Sequence, residues 1–226
     1  MLTLPAQAAP ALPAIGQPFG GGFFVGLSSF SQIDPRPAAL IVAPKALGEI
    51  ILPWATYYGE TTPGTQSLFD GLANTEALND DRHPLAQWAR RLIINGLDDW
   101  HIPARDDLEL CFRNLKPGTD ENETYASRLD VFEADLGEYN GVDENGNGHN
   151  ASSTPPGSAY SEDNPSQTLS PLFQTGGSEA FEPAWHASST EFSPNSFWAQ
   201  NFADGNQDYY YKDFKLRCRV LRKVLI

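Results

Sequence analysis

Apolar positions along this chain recur at short intervals and change period twice. Between Phe19 and Ser29, aromatic and aliphatic residues are interleaved with glycine, the pattern of a strand that another backbone approaches closely. Ala38–Val42 is an unbroken apolar run closed off by Pro44, which predicts a short buried strand. Ile50–Tyr58 predicts another, with Pro53 pushing part of it to a sheet edge. The period then lengthens. Leu85, Trp88, Ala89, Leu92 and Ile93 share one face of a helix running from Pro84 to about Ile94, with Pro84 in its first turn and Gly96 beyond its last. Leu108, Cys111, Phe112 and Leu115 stripe a second helix, Arg105–Leu115. Asp106 and Asp107 in its first turn, and Lys116 at its end, suit the helix dipole. A third helix is predicted around Gly71–Leu78.

From Gly118 to Pro165 the periodicity fades into Asn, Asp, Glu, Gly, Ser and Pro, which predicts a long loop insertion rather than a domain. The pattern beyond it is β. Phe197–Phe202 puts Trp198, Gln200 and Phe202 on one side, Asp204–Gly205 marks a turn, and Asp208–Tyr211 begins the return strand. Leu216, Cys218 and Val220 alternate with Arg217 and Arg219, as in a half-buried strand. The expected class is α+β: short helices on a twisted, mostly antiparallel sheet with a long acidic loop insertion. Residues 1–15 read as an extended N-terminal arm and residues 16–226 as one domain carrying the insertion at 118–165.

Composition sharpens this picture in three places. The net charge of −14 sets the chain against phosphate backbones, so nucleic acid is not an expected partner. The charge is also uneven: nine acids face one base between Gly118 and Gly148, and six bases face one acid from Lys212 to Ile226. These are either two solvated surfaces or an acidic loop of one copy meeting a basic strand of the next. The first 33 residues carry no charged side chain, but prolines at 5, 10, 13 and 18 and the glycines at 20–22 argue against a signal peptide or a membrane span. No membrane insertion is expected. The two cysteines, Cys111 and Cys218, read as small buried hydrophobes.

Candidate chemistry is sparse. His186 lies beside Ser188 and Ser189, yet a nucleophile and its base are matched in space and not by adjacency, and a turn whose hydroxyls satisfy backbone groups is the simpler account. Asp98–Asp99 and Asp106–Asp107 are paired carboxylates better explained as helix and turn caps. Asp143, Asn145 and Asn147, followed by Gly148, match the start of a calcium loop, but its twelfth position holds Thr154 where a bidentate Glu is needed. Calcium is thus the one cofactor to consider. The scattered histidines have no zinc spacing. Tyr209, Tyr210 and Tyr211, with Trp198 nearby, offer contact area with polar tips and are the candidate ligand-binding residues.

An ordered set of segments carries a family resemblance: GLDDWHIPARDDLEL (Gly96–Leu110), SSTE (Ser188–Glu191), WAQNFADGNQ (Trp198–Gln207), then Lys212 and LRCRVLR (Leu216–Arg222). It resembles the C-terminal domain family of the collagen-like bacterial adhesin Lcl. ALIVAPKALGE (Ala39–Glu49) and NPSQT (Asn164–Thr168) resemble the version of that domain found in phage tail genes. The likeness spans most of Gly16–Val224 outside the insertion. Ala104 departs from it by replacing the usual Ser/Thr helix cap, and His186–Ala187 by replacing a tyrosine and a tryptophan. The resemblance implies a C-type-lectin-like fold, often a homotrimer, used for adhesion or display, and supplies no catalytic residues. The sulfated polysaccharides bound by the adhesin domain do not suit a chain this acidic. The expectation is a non-enzymatic virion protein of a phage tail, at the fibre, tip or baseplate. Its partners would be other virion proteins and a host cell-surface glycan or protein. A purely structural decoration or connector protein is the second reading and an envelope glycan hydrolase the third.

Overall fold

The computed structural model describes residues 12–124, 155, 157, 158 and 160–226, so most of the N-terminal arm and most of the insertion lie outside it. The elements run β1 (Pro18–Phe19), β2 (Gly22–Ser29), β3 (Pro37–Val42), α1 (Lys45–Gly48), β4 (Glu49–Pro53), α2 (Gly71–Ala77), α3 (Pro84–Arg90), α4 (Arg105–Leu115), β5 (Trp185–Ser193), β6 (Ser196–Asn201), β7 (Gln207–Tyr211), β8 (Lys215–Arg219) and β9 (Leu221–Leu225). They form two curled sheets, β1-β2-β3-β9 and β4-β8-β5-β6-β7, in which every pairing except β5 with β8 is antiparallel. Few short helices and curled antiparallel sheets make the α+β class plain.

Strand β3 explains its own sequence. Ile41 and the following Ala43 belong to one apolar cluster with Trp54, Leu85, Trp100, Phe197 and Cys218. Leu40 and Val42 belong to a second, with Leu108, Phe112, Phe173, Phe181 and Phe202. A strand buried on both faces has no reason to alternate, hence the unbroken apolar run. The last two strands cross between these cores: Cys218 pairs with Ile50 in one sheet and Leu221 with Val42 in the other, either side of Val220.

Several elements differ from their sequence patterns for local reasons. The glycine-spaced stretch from Phe19 is a hairpin, not one strand. Gly20 and Gly21 both take positive φ (55° and 87°), as a two-residue turn with the sheet's own twist requires. Helix α3 stops at Arg90, short of Ile94; Ile93 is 73% exposed, and Ile94 instead bridges Leu97 around a left-handed Asn95. The strand begun at Ile50 ends at Pro53, and β4 is an edge strand, where proline is tolerated. The largest departure is at His186, Ser188 and Ser189, expected in a turn but lying in β5 (Trp185–Ser193), a central, nearly wholly buried strand. Its residues are hydroxylated and charged, so no apolar alternation announces it.

Helix α4 is buried all round and not on one stripe: Arg105, Asp106, Asp107 and Glu109 are as inaccessible as Leu108 and Phe112. Its N-terminus shows how. Ala104 has no side-chain cap to give. The Arg105 amide donates instead to Thr190 Oγ1 of β5 (3.0 Å), and the Asp106 amide to the Leu68 carbonyl (2.8 Å). The Ala104 amide donates to Asp107 Oδ2 (3.1 Å). The missing cap is thus supplied from another element. Thr190→Val is expected to lower the unfolding free energy by about 1–2 kcal/mol, while Thr190→Ser stays near wild type; urea denaturation of the three proteins decides it.

Candidate functional site

The four aromatics expected to bind a ligand do not share a surface. Trp198 pairs across β6–β7 with Tyr209 but is only 2% exposed, its ring packed against Phe192 and beneath the Arg105 guanidinium. It is a packing residue with no face left for a ligand. Tyr209 stacks on Phe192 at 4.8 Å and keeps its outer face in solvent. Tyr210 alternates to the opposite side, half-buried against Trp185 and Phe214. Tyr211, 55% exposed, sits at the β7–β8 turn with Phe214 and Tyr58. The Tyr58 hydroxyl faces the Asp213 carboxylate, which raises the phenol's pKa.

The insertion and the tyrosines lie at different ends of the β6–β7 hairpin. Asn122, itself buried, ties the chain leaving α4 to the returning residues 161–165. Its amide group donates to the Ser161 and Pro165 carbonyls (2.9 and 3.0 Å), its Oδ1 accepts from Lys116 Nζ, and its backbone amide donates to Glu162. Lys116 therefore serves this neck rather than the helix dipole. The Glu123 amide reaches the Asp204 carbonyl at the β6–β7 turn. Tyr160 enters the core and donates to the Glu109 carboxylate, which also takes Gln200 and Arg113. Tyr211 pairs with Ser196, four residues along β7 from Gln207 and so roughly 14 Å from the turn end. Two open clefts flank the neck, one of about 770 Å³ beside Lys116, Asp120 and Glu162, the other of about 550 Å³ beside Arg113, Asn164 and Ser170. Asp143, Asn145 and Asn147 lie outside the described residues. Among the described residues no three His, Cys, Asp or Glu side chains group as a metal would need.

The charge asymmetry resolves inside the molecule. Of the six bases from Lys212 onward, five are paired with acids upstream of Lys212: Lys212 with Glu191, Arg217 with Glu49, Arg219 with Glu179, Arg222 with Asp99 and Lys223 with Asp107. Lys212 and Glu191 are both fully buried; the carboxylate also accepts from the Thr62 amide and Thr65 hydroxyl, and the ammonium donates to the Glu60 carbonyl. Arg219, expected on the outer face of a half-buried strand, is 1% exposed between Phe173 and Phe181. The basic stretch is therefore not a solvated surface free to meet another copy's acidic loop.

Three of the four paired acids and the Ser–His cluster are likewise in structural use, while Asp98 is exposed. Asp99 forks onto Arg222, Asp106 accepts two Arg105 N–H groups at Oδ1, and Asp107 serves both the helix start and Lys223. His186 donates through Nδ1 to the Ala184 carbonyl and packs on Phe181 and Phe202; its hydrogen bonding does not involve Ser188 or Ser189. Ser189 donates to the Pro103 carbonyl. One relay escaped the sequence: Asp80 Oδ1 lies 2.7 Å from His83 Nδ1, and His83 Nε2 lies 3.2 Å from the Tyr57 hydroxyl and 3.4 Å from Thr62 Oγ1. Asp80 and His83 are three apart, a readable spacing, but the hydroxyls come from a loop more than twenty residues away. Thr62 and His83 are buried, and neither cleft is lined by them, so the relay fastens that loop to the start of α3.

The segments that carried the resemblance are those that lock the fold: Trp100 in the core, Asp107 and Thr190 at α4, Glu191 with Lys212, and Arg219 and Arg222 in the closing strands. No family model matches the chain, and neither the curated proteins nor the solved structures contain a match. No helix among the described residues is long and apolar enough to cross a membrane. Cys111 and Cys218 are free, buried thiols whose pKa values burial raises.

Two predictions follow from the buried charges. Lys212→Met leaves Glu191 without its cation and is expected to cost about 3–5 kcal/mol; adding Glu191→Gln, which still accepts from Thr62, recovers part of it in a urea double-mutant cycle. Burial pushes His186 down to about 3. Its unfolded-state value is near 6.5, so its contribution is fully present above that pH and lost as pH falls below it, because only the unfolded chain takes up the proton. His186→Leu removes that loss. The stability difference between variant and wild type should shift in the variant's favour by up to about 1.4 kcal/mol per pH unit below about pH 6, read from urea melts at pH 7, 6, 5 and 4.

Proposed function

We propose that the chain is a non-enzymatic virion protein of a phage tail, at the fibre, tip or baseplate, that acts in host attachment on a C-type-lectin-like domain. The observation that carries this reading is where the ordered motif residues lie. Most are buried and spent on joining α4, the two sheets and the closing strands, as expected of a motif that defines a display scaffold. What the scaffold displays is the insertion, gathered at its neck by Asn122, and the exposed aromatics at the far end of the β6–β7 hairpin. The fold of few short helices on curled antiparallel sheets supports the α+β class that this reading requires.

In this reading the partners are other virion proteins and a host cell-surface glycan or protein. The working form is a homotrimer, in which several weak contacts add avidity. An acidic loop meeting a neighbour's basic strand would suit an attachment oligomer and a connector equally, and internal pairing of that strand withdraws this contact from both.

Replacing residues 125–154 by a short Gly/Ser link leaves the neck intact. The expected result is particles that assemble but no longer adsorb to host cells. Particles that fall apart support the connector role instead, and purified virions lacking the protein overturn both. Light scattering of the purified chain should give the mass of three copies.

A further inference from the structure

The β7–β8 turn is built from the inside out. Lys212, its second residue, points inward, held by Glu191 and the Glu60 carbonyl. The Lys212 amide donates to the Asn195 carbonyl, and Asn195 Oδ1 accepts from the Gly59 amide. Three loops, around Gly59, Asn195 and Lys212, are thereby fastened to one another. With Lys212 turned in, its neighbours Tyr211, Asp213 and Phe214 are exposed, and Tyr58 from the adjoining loop faces Asp213. Tyr58, Tyr211 and Phe214 are 48%, 55% and 48% exposed. Three large aromatics held half in water, with a carboxylate beside Tyr58, form an exposed contact surface on a turn whose backbone is anchored from within by a buried ion pair.

We infer that this turn is a docking platform for an uncharged glycan, with Tyr211, Phe214 and Tyr58 stacking against sugar rings and Asp213 accepting from their hydroxyls. Aromatic rings with polar tips suit a ligand that is apolar on its ring faces and hydroxylated at its edges. Charge selects among glycans. Asp213 is exposed on the turn, Glu60 is paired with Arg82 and Lys215 is the one exposed cation next to Phe214, so the turn offers no cluster of cations to hold a sulfated or phosphorylated polymer, which the chain's overall −14 repels, whereas a neutral one is not repelled. The platform lies away from the insertion neck, so it adds a second contact to the same attachment role, and the inference rests on that reading.

Affinity electrophoresis of the full chain through gels containing dextran, galactomannan or dextran sulfate tests it. Retardation by a neutral polymer and none by dextran sulfate is expected. Tyr211→Ala with Phe214→Ala should weaken it by about tenfold or more, and Asp213→Asn should weaken it several-fold, each with an unchanged thermal midpoint. Ile93→Ala, an exposed apolar residue beyond α3 and outside the platform, should leave it unchanged. No retardation by either neutral polymer, equal retardation of wild type and the double variant, or stronger retardation by dextran sulfate overturns the proposal. So does a double variant that drops from an oligomer to a monomer, which would make the platform a contact between copies. Virions that contain the chain and adsorb normally with the double variant discard the platform alone; virions without the chain discard the attachment role and leave the gel result standing.

Discussion

The fold depends on burying cations late in the chain against carboxylates that precede them. Lys212–Glu191 is the extreme case, with both groups fully enclosed and each supplied with further hydrogen bonds. A buried pair of this kind adds little net stability over an apolar substitute but is severe when half-made. Its worth is in specifying one arrangement. Lys212 can sit nowhere else in the interior without leaving a bare charge. The same holds for Arg219 between Phe173 and Phe181, and for Lys223 against Asp107. Together they set the register of the final strands and their path from one sheet to the other.

This arrangement reverses the meaning of the chain's uneven charge. A basic stretch and an acidic loop invite the idea of attraction between copies. The bases are instead consumed internally by acids scattered from Glu49 to Glu191, leaving the surplus of carboxylates unmatched by that stretch. The acids precede their cations along the chain, so a growing polypeptide holds Glu191 and Asp107 unpaired until residues 212–223 emerge. Formation of the two cores is thereby coupled to the arrival of the final strands.

Much of the scaffold was legible in the sequence wherever burial was one-sided or apolar. The runs at Ala38–Val42 and Phe197–Phe202, the turn at Asp204–Gly205 and the stripe Leu108–Cys111–Phe112–Leu115 follow directly from apolar patterning. What failed to show was buried polarity. Trp185–Ser193 is a central strand written in hydroxyls, a histidine and a carboxylate, and its fitness for the interior exists only through partners such as Trp54, Arg105 and Lys212. The candidate site was less legible still. A run of three tyrosines reads as one patch, but strand alternation sends Tyr210 to one face and Tyr209 and Tyr211 to the other. Phe214 entered no sequence pattern and Tyr58 only the end of a predicted strand, because their approach to Tyr211 depends on a turn built around the inward Lys212. The Asp80–His83–Thr62 relay was hidden by the same distance in sequence.

The neck at Asn122 has a consequence for how this chain can vary. Its amide closes the gap between the two arms of the insertion, and Tyr160 anchors the returning arm through Glu109. The domain therefore meets a fixed gate rather than a free loop. For segments joined at a closed gate, doubling the length costs only about 0.6 kcal/mol in chain entropy. A change in the number of residues joining Thr124 to Pro155 is therefore expected to reach the domain through that closure, while both cores and the closing strands are held by contacts elsewhere. The gate thus makes the packing of the scaffold independent of how much chain it closes over.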